Sequence, residues 1–140
     1  MKNIGLVLLL SLILIGCKRE ENTPVAPLME VVDANAVLQI KGEFSGAAGE
    51  SVSGKAKIVS DFGKYSLVLE NFMTNNGPDL HVYLSAELSP KTFIDLGKLK
   101  SISGTQVYAI AGAPDFSKYK YALIHCQQAN HLFGSALLAK

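Results

Sequence analysis

An all-β fold, a single β-sandwich or barrel-like domain of about eight short strands, is predicted by three observations in this 140-residue chain. Apolar and polar residues alternate with a period of two in one segment after another, which is the signature of a half-buried strand. Clusters of Gly, Pro, Asn, Asp and Ser punctuate those segments at short intervals. Helical periodicity is missing over any useful length beyond the apolar amino end, and Asp115-Phe116-Ser117-Lys118-Tyr119 allows one helical turn at most.

Taken in order, Val37 to Phe44 alternates with Leu38, Ile40 and Phe44 on one face and Gln39, Lys41 and Glu43 on the other. Val52 to Val59 places Gly54, Ala56 and Ile58 inward, and the turn Asp61-Phe62-Gly63-Lys64 joins it to Tyr65 to Leu69, so these two runs should form a hairpin. After the turn cluster Asn75-Asn76-Gly77-Pro78 comes Leu80 to Leu84. There Leu80, Val82 and Leu84 share a face, and His81 and Tyr83 share the other. Four further strands are expected at Thr92 to Leu96, Thr105 to Ile110, Tyr119 to Cys126 and Phe133 to Leu138. The turns between them are Gly97-Lys98, Ser103-Gly104, Ala113-Pro114-Asp115 and Asn130-His131. Short strands at this spacing favour a sandwich or barrel.

The amino end has a different character. Met1-Lys2-Asn3 and the apolar run Ile4 to Ile15 read as the n-region and core of a signal peptide. The run falls short of the roughly 20 residues a membrane-spanning helix needs, and it ends at Gly16-Cys17 before Lys18-Arg19-Glu20-Glu21. Leu14-Ile15-Gly16-Cys17 resembles the bacterial lipobox. The resemblance implies cleavage before Cys17, lipid attachment at Cys17, and residence in the bacterial cell envelope, with the outer membrane favoured because Lys18 follows. Two or three acyl chains would hold the protein firmly to the lipid bilayer, at about 0.8 kcal/mol per buried methylene. Three parts are therefore expected: a lipoprotein signal peptide at 1–16, a lipidated tether with Pro24 and Pro27 at 17–35, and one β domain at 36–140.

Charge excludes one class of partner. The precursor carries 13 basic and 12 acidic side chains, and loss of Lys2 with the signal peptide brings the formal charge to zero. Lys18-Arg19 is the one basic pair, whereas nucleic-acid binding needs several phosphate contacts at once, so no nucleic acid is expected. Hydrolytic chemistry is also hard to assemble. No Gly-x-Ser-x-Gly or His-Glu-x-x-His motif occurs, and Asp79 and Asp95 sit at or near turns, where carboxylates commonly bond backbone amides. Enzymatic turnover finds no support.

What remains is Cys126 and three histidines, His81, His125 and His131. With Cys17 assigned to lipid, Cys126 is an unpaired cysteine in an exported chain, which reads as an intermolecular partner, a reactive thiol or a core residue. It ends the apolar run Tyr121-Ala122-Leu123-Ile124, and free cysteine behaves as a small hydrophobe, so the residues by themselves lean towards an inert core thiol. A thiol with an ordinary pKa near 8.5 is only a few per cent ionised at neutral pH, so reactivity would need a helper. His125 points to the opposite face of the strand, while His131 lies across the turn and could serve. Cys126 and His131 are also spaced as in some copper sites, with His81 as a further nitrogen, but no methionine follows His131 at the axial position.

Several segments in register carry a family resemblance. Gly54-Lys55-Ala56-Lys57-Ile58, Asn71-Phe72-Met73-Thr74, Asn76-Gly77-Pro78-Asp79-Leu80-His81-Val82-Tyr83-Leu84-Ser85, Leu96-Gly97-Lys98-Leu99-Lys100 and Gly104-Thr105-Gln106-Val107-Tyr108-Ala109-Ile110 occur in that order. An apolar strand ending at Cys126 and the run Phe133-Gly134-Ser135-Ala136-Leu137-Leu138 complete the pattern. From about Ile40 to Leu138 the chain resembles the DM-thirteen, or electron-transfer, domain. The resemblance implies an extracytoplasmic β module with one hallmark cysteine, used as a naked thiol or as the holder of a prosthetic group such as haem. His125 before Cys126 and Gln127-Gln128 after it depart from the aromatic-rich form of that signature. The expected function is a membrane-anchored redox or electron-transfer module with Cys126 as the redox candidate and an envelope protein as redox partner. No cofactor is required by the residues, although haem or a metal is compatible with them. The alternative is a binding or envelope-structural module in which Cys126 merely packs and Asp79, His81 and Tyr83, with the loop before them, contact a partner.

Overall fold

The computed structural model describes residues 22–140. The expected signal peptide, Cys17 and the first part of the tether lie outside the described residues. Nine strands and no helix are found: β1 Leu28–Met29, β2 Val37–Gly46, β3 Val52–Asp61, β4 Lys64–Thr74, β5 Leu80–Ser85, β6 Phe93–Lys98, β7 Ser103–Ile110, β8 Tyr121–Cys126 and β9 His131–Leu137. The eight expected strands are all present, several of them longer than the alternation alone indicated, and β1 is the addition.

The strands form one sheet in the order β1-β7-β4-β3-β2-β9-β8-β5-β6. All neighbours are antiparallel except β1 and β7, which run parallel. Strand β2 is the hinge of this sheet. Its first part, Val37 to Glu43, pairs with β3, and its end, Phe44 to Gly46, pairs with β9. The sheet therefore curls through β2 into a half-barrel, with β1 and β6 as its two unpaired edges.

Curling brings the inner faces of both halves together. Ala56, Ile58, Leu67 and Leu69 from one half meet Leu80, Val82, Leu84, Ala122, Ile124 and Cys126 from the other in one apolar cluster. Each large aliphatic side chain removed from water there contributes about 1.5–3 kcal/mol. Phe44 and Phe72 meet edge to face within it, with ring centroids 5.4 Å apart. Inward orientation holds for Ala56, Ile58, Leu80, Val82 and Leu84 as the alternation predicts. Leu38 is an exception, about half exposed. The register with β3 slips between Leu38 and Ile40, and this bulge at Gln39 breaks the two-residue period, turning Leu38 outward while Phe44 stays buried.

The expected tether also differs from what is found. From Thr23 to Glu30 the chain lies along the edge of β7 instead of running free. Pro24 O accepts Ile102 N at 2.9 Å, Ala26 O accepts Ser101 Oγ at 2.7 Å, and Glu30 N donates to Thr105 O at 3.0 Å. Leu28 and Met29 pair with Gly104 and Thr105. The Glu30 carboxylate accepts Val107 N at 2.6 Å and Lys100 Nζ at 3.0 Å. Two prolines, little pattern and a mixed acidic character suggested free chain, but backbone groups of an edge strand take whatever partner lies alongside.

Candidate functional site

Cys126 ends β8 on its inner face. The sheet register sets it opposite Leu80 of β5 and His131 of β9. Its thiol is free and only 1% exposed, within the cluster that also contains Leu80, Ile124 and Phe133. His131 stands at the rim of this end of the barrel, with its side chain 46% exposed. Its ring meets Phe133 edge-on at 5.5 Å, and its Nε2 lies 2.8 Å from Glu50 Oε1. The other Glu50 oxygen accepts the Asn75 side-chain amide. That amide bond, followed by the hydrogen bond and charge of His131, holds the Glu50 carboxyl below its ordinary range. His131 thus serves a rim network with Glu50 and Asn75, and no hydrogen bond joins it to Cys126 among the described residues.

A loop closes the same end. Asn75 to Asp79 runs from β4 to β5, and its Gly77 is buried against Leu80 and Phe133. A Cβ at Gly77 would fall 2.9 Å from Phe133 Cζ and 3.0 Å from Leu80 Cδ2, so a glycine is what lets the loop lie this close. Asp79 O accepts Gln127 N at 3.0 Å, which ties the end of the loop to the residue after Cys126.

The outer face of β5 holds a second cluster. His81 Nδ1 lies 3.1 and 3.0 Å from the two oxygens of Asp95, and its Nε2 lies 3.1 Å from Asp79 Oδ1. Both ring nitrogens of His81 thus face carboxylate oxygens. Tyr83 is 2% exposed. Its ring stacks on Phe93 at 4.4 Å and on His125 at 5.4 Å, and its hydroxyl accepts Gln127 Nε2 at 3.1 Å. Burial, more than any charge nearby, raises the Tyr83 pKa. Asp79, His81 and Tyr83 are therefore buried and satisfied within the chain, and they do not form the open partner-binding face expected of them.

Two residues complete this cluster that the sequence reading left aside. Asp95 does bond a nearby amide, Gly97 N at 2.8 Å, but it also clamps His81. His125, set opposite His81 in the register, lies 3.2 Å through Nε2 from Asn130 Oδ1, and its Nδ1 is buried with no partner. The two-residue period placed His125 on the face opposite Cys126. Its packing on Tyr83 depends on the pairing of β5 with β8, which no local pattern specifies.

Burial is the first cause lowering the His125 pKa, with the nearby rings of His131 and His81 adding to it. The unfolded chain, where histidine titrates near 6.5, then binds a proton more readily than the folded one. Stability contributed by His125 is complete above that value and is lost as pH falls towards the depressed folded value. Urea midpoints are expected to drop between pH 7.5 and pH 5.5, and to drop less in a His125→Gln variant. Equal pH slopes in the two proteins would count against this assignment.

Metal and haem can be tested on the same geometry. Cys126 faces the core and His81 the outer surface of the sheet, so Cys126, His81 and His131 do not converge, and among the described residues no three His, Cys, Asp or Glu side chains are arranged to hold a metal ion. The site does not fit haem either, because Cys126 is buried within the apolar cluster that includes Leu80, Ile124 and Phe133 and a haem ligand needs an open slot at the iron. A surface cavity of about 560 Å³ is lined by Gly63 to Ser66, Ala109, Ile110, Gly112 and Ala113 and leaves Cys126 out.

Comparison with known proteins gave one match. The profile of the family described as Electron transfer DM13 matches residues 43–138, a span that takes in both Cys126 and the outer His81 cluster. No curated protein and no solved structure matches the chain.

Proposed function

Because the chain belongs to the electron-transfer DM13 family, we propose that it is a lipid-anchored envelope protein whose domain exchanges electrons through Cys126. Cys17 is the lipid-bearing residue in this reading, and the bacterial outer membrane is the favoured location. The observation that carries the redox role is that the family match, residues 43–138, takes in Cys126, the free thiol among the described residues. The partner is an envelope protein carrying a disulfide. The Cys126 thiolate attacks one partner sulfur, an Sγ–S bond forms, the partner S–S bond breaks, and a partner thiolate leaves. Cys126 is oxidised and the departing sulfur reduced. An external thiolate then attacks the partner sulfur of this mixed disulfide, a new S–S bond forms between those two, and Cys126 leaves as the thiolate.

Burial of Cys126 favours a second reading, in which the thiol is a packing residue of a binding or structural module. Native protein carrying Cys17→Ser, so that Cys126 is its one thiol, separates the two when incubated with glutathione disulfide. Under the redox reading its intact mass rises by one glutathionyl group, and Cys126→Ala abolishes the adduct. A thiol that reacts only after denaturation would leave the packing role. Either way, Cys126→Ser is expected to lower stability by about 1–2 kcal/mol, because it buries a hydroxyl with no partner in an apolar cluster.

A further inference from the structure

Thr23 is buried, although it lies in the segment leading to the domain. Its main chain is held at both ends by one side chain: Thr23 N donates to Asn76 Oδ1 at 3.1 Å, and Asn76 Nδ2 donates to Thr23 O at 2.8 Å. The same Oδ1 accepts Gly77 N at 2.8 Å. Asn76 therefore joins two things, the strap of residues 23–30 along β7 and the loop that places Gly77 on Leu80 and Phe133. Leu80 lies across the ladder from Cys126, and Phe133 belongs to the same apolar cluster. On its other side the loop is held by Asn75, whose Oδ1 accepts Ser51 N at 3.0 Å and whose N donates to Ser51 O at 3.1 Å. A loop held by side-chain amides can open locally without parting strands of the sheet.

We propose that Asn76 is a latch: it couples docking of the N-terminal strap to closure of the 75–79 loop, so that the strap controls access to Cys126. The proposal rests on the redox reading for its purpose, since a thiol 1% exposed must be uncovered to exchange. If Cys17 carries the anchor, it precedes Thr23 by six positions, within about 20 Å of extended chain. A pull on the strap from the membrane side would then reach the loop directly.

The test uses the full chain with Cys17→Ser, so that Cys126 is the single thiol, and follows alkylation by iodoacetamide in native buffer and in sub-denaturing urea. Asn76→Ala removes both bonds to Thr23 and the acceptor for Gly77 N, and is expected to raise the native alkylation rate about tenfold or more, the scale of one lost buried hydrogen bond. Thr23→Pro removes only the N–H donor and should give a smaller rise. Thr23→Ala keeps the main-chain groups and should leave the rate within about twofold, since the latch does not use its side chain. The accelerated rate should be nearly independent of urea, as local opening exposes little surface. An unchanged rate in both Asn76→Ala and Thr23→Pro overturns the latch. So does a rise whose urea dependence follows global unfolding. If Asn76→Ala does not fold, Thr23→Pro decides alone. The redox reading fails separately: a latch-open variant that alkylates freely but forms no adduct with glutathione disulfide would retain the latch and remove its redox purpose.

Discussion

Gly42→Ala is expected to destabilise the protein by about 4 kcal/mol or more, enough to abolish soluble expression in a domain of ordinary stability. Gly42 sits on β2 between Ile40 and Phe44, just before the strand leaves β3 and takes up β9. At this corner the end of β9 crosses closely, and a Cβ on Gly42 would fall 2.2 Å from the main-chain oxygen of Leu137 and 2.8 Å from its carbonyl carbon. Neither atom is the end of a flexible side chain. Lys41 is bonded through N and O to Ala139 beside the same crossing, so β9 cannot move away without losing ladder bonds on both sides. Glycine at a tight bend of a barrel corner is the usual answer to such an approach. The measurement is a urea or thermal unfolding curve, and a loss below about 1 kcal/mol would show that the corner can relax and that the curl does not depend on Gly42.

Gln106→Leu is expected to cost about 2–4 kcal/mol, despite placing a more apolar residue in the interior. Gln106 is fully buried on β7. Its Nε2 donates to Ser101 O at 2.7 Å, and its Oε1 accepts the Tyr108 hydroxyl at 2.7 Å and Ser101 N at 3.3 Å. The Tyr108 hydroxyl in turn accepts Lys100 N at 3.0 Å, and burial drives its pKa far above the ordinary phenol range. Leucine would orphan three buried groups at once, and an unmade buried bond costs more than a made one contributes. Equilibrium unfolding should show a lower midpoint with an unchanged denaturant slope. Wild-type stability in Gln106→Leu would mean that water or a side-chain shift re-satisfies Ser101. Tyr108→Phe, which removes one bond and leaves Gln106 its contacts with Ser101, should cost less.

Gln106 also marks where local pattern reading stops. On hydropathy, β7 would turn Val107 inward and Gln106 outward, yet Gln106, Tyr108 and Ile110 face the core while Val107 is only half-buried. Opposite them in the ladder lie Leu69, Leu67 and Tyr65, which pack into or against the core and so decide the face. For β5 the pattern sufficed, because Leu80, Val82 and Leu84 outweigh any competing choice. The outer face of β5 shows the same limit. His81 and Tyr83 are polar enough to predict an exposed face, but Asp79, Asp95, Gln127 and His125 supply the partners that let them be buried.

By itself the sequence determined the strand class, the eight principal strands, the β3–β4 hairpin, the inward direction of Leu80, Val82 and Leu84, and the family to which the chain belongs. These follow from a period of two, from turn chemistry, and from motifs kept in order, all of which are local or linear properties. Only the tertiary structure decided that the sheet curls through β2 into a half-barrel, that the segment expected as tether docks on β7, and that Asn76 joins that segment to the loop beside Cys126. Those depend on contacts between residues tens of positions apart, 53 in the case of Thr23 and Asn76. Nothing in either neighbourhood encodes such a contact, because a backbone amide or a side-chain amide bonds to whatever partner the fold brings within about 3 Å.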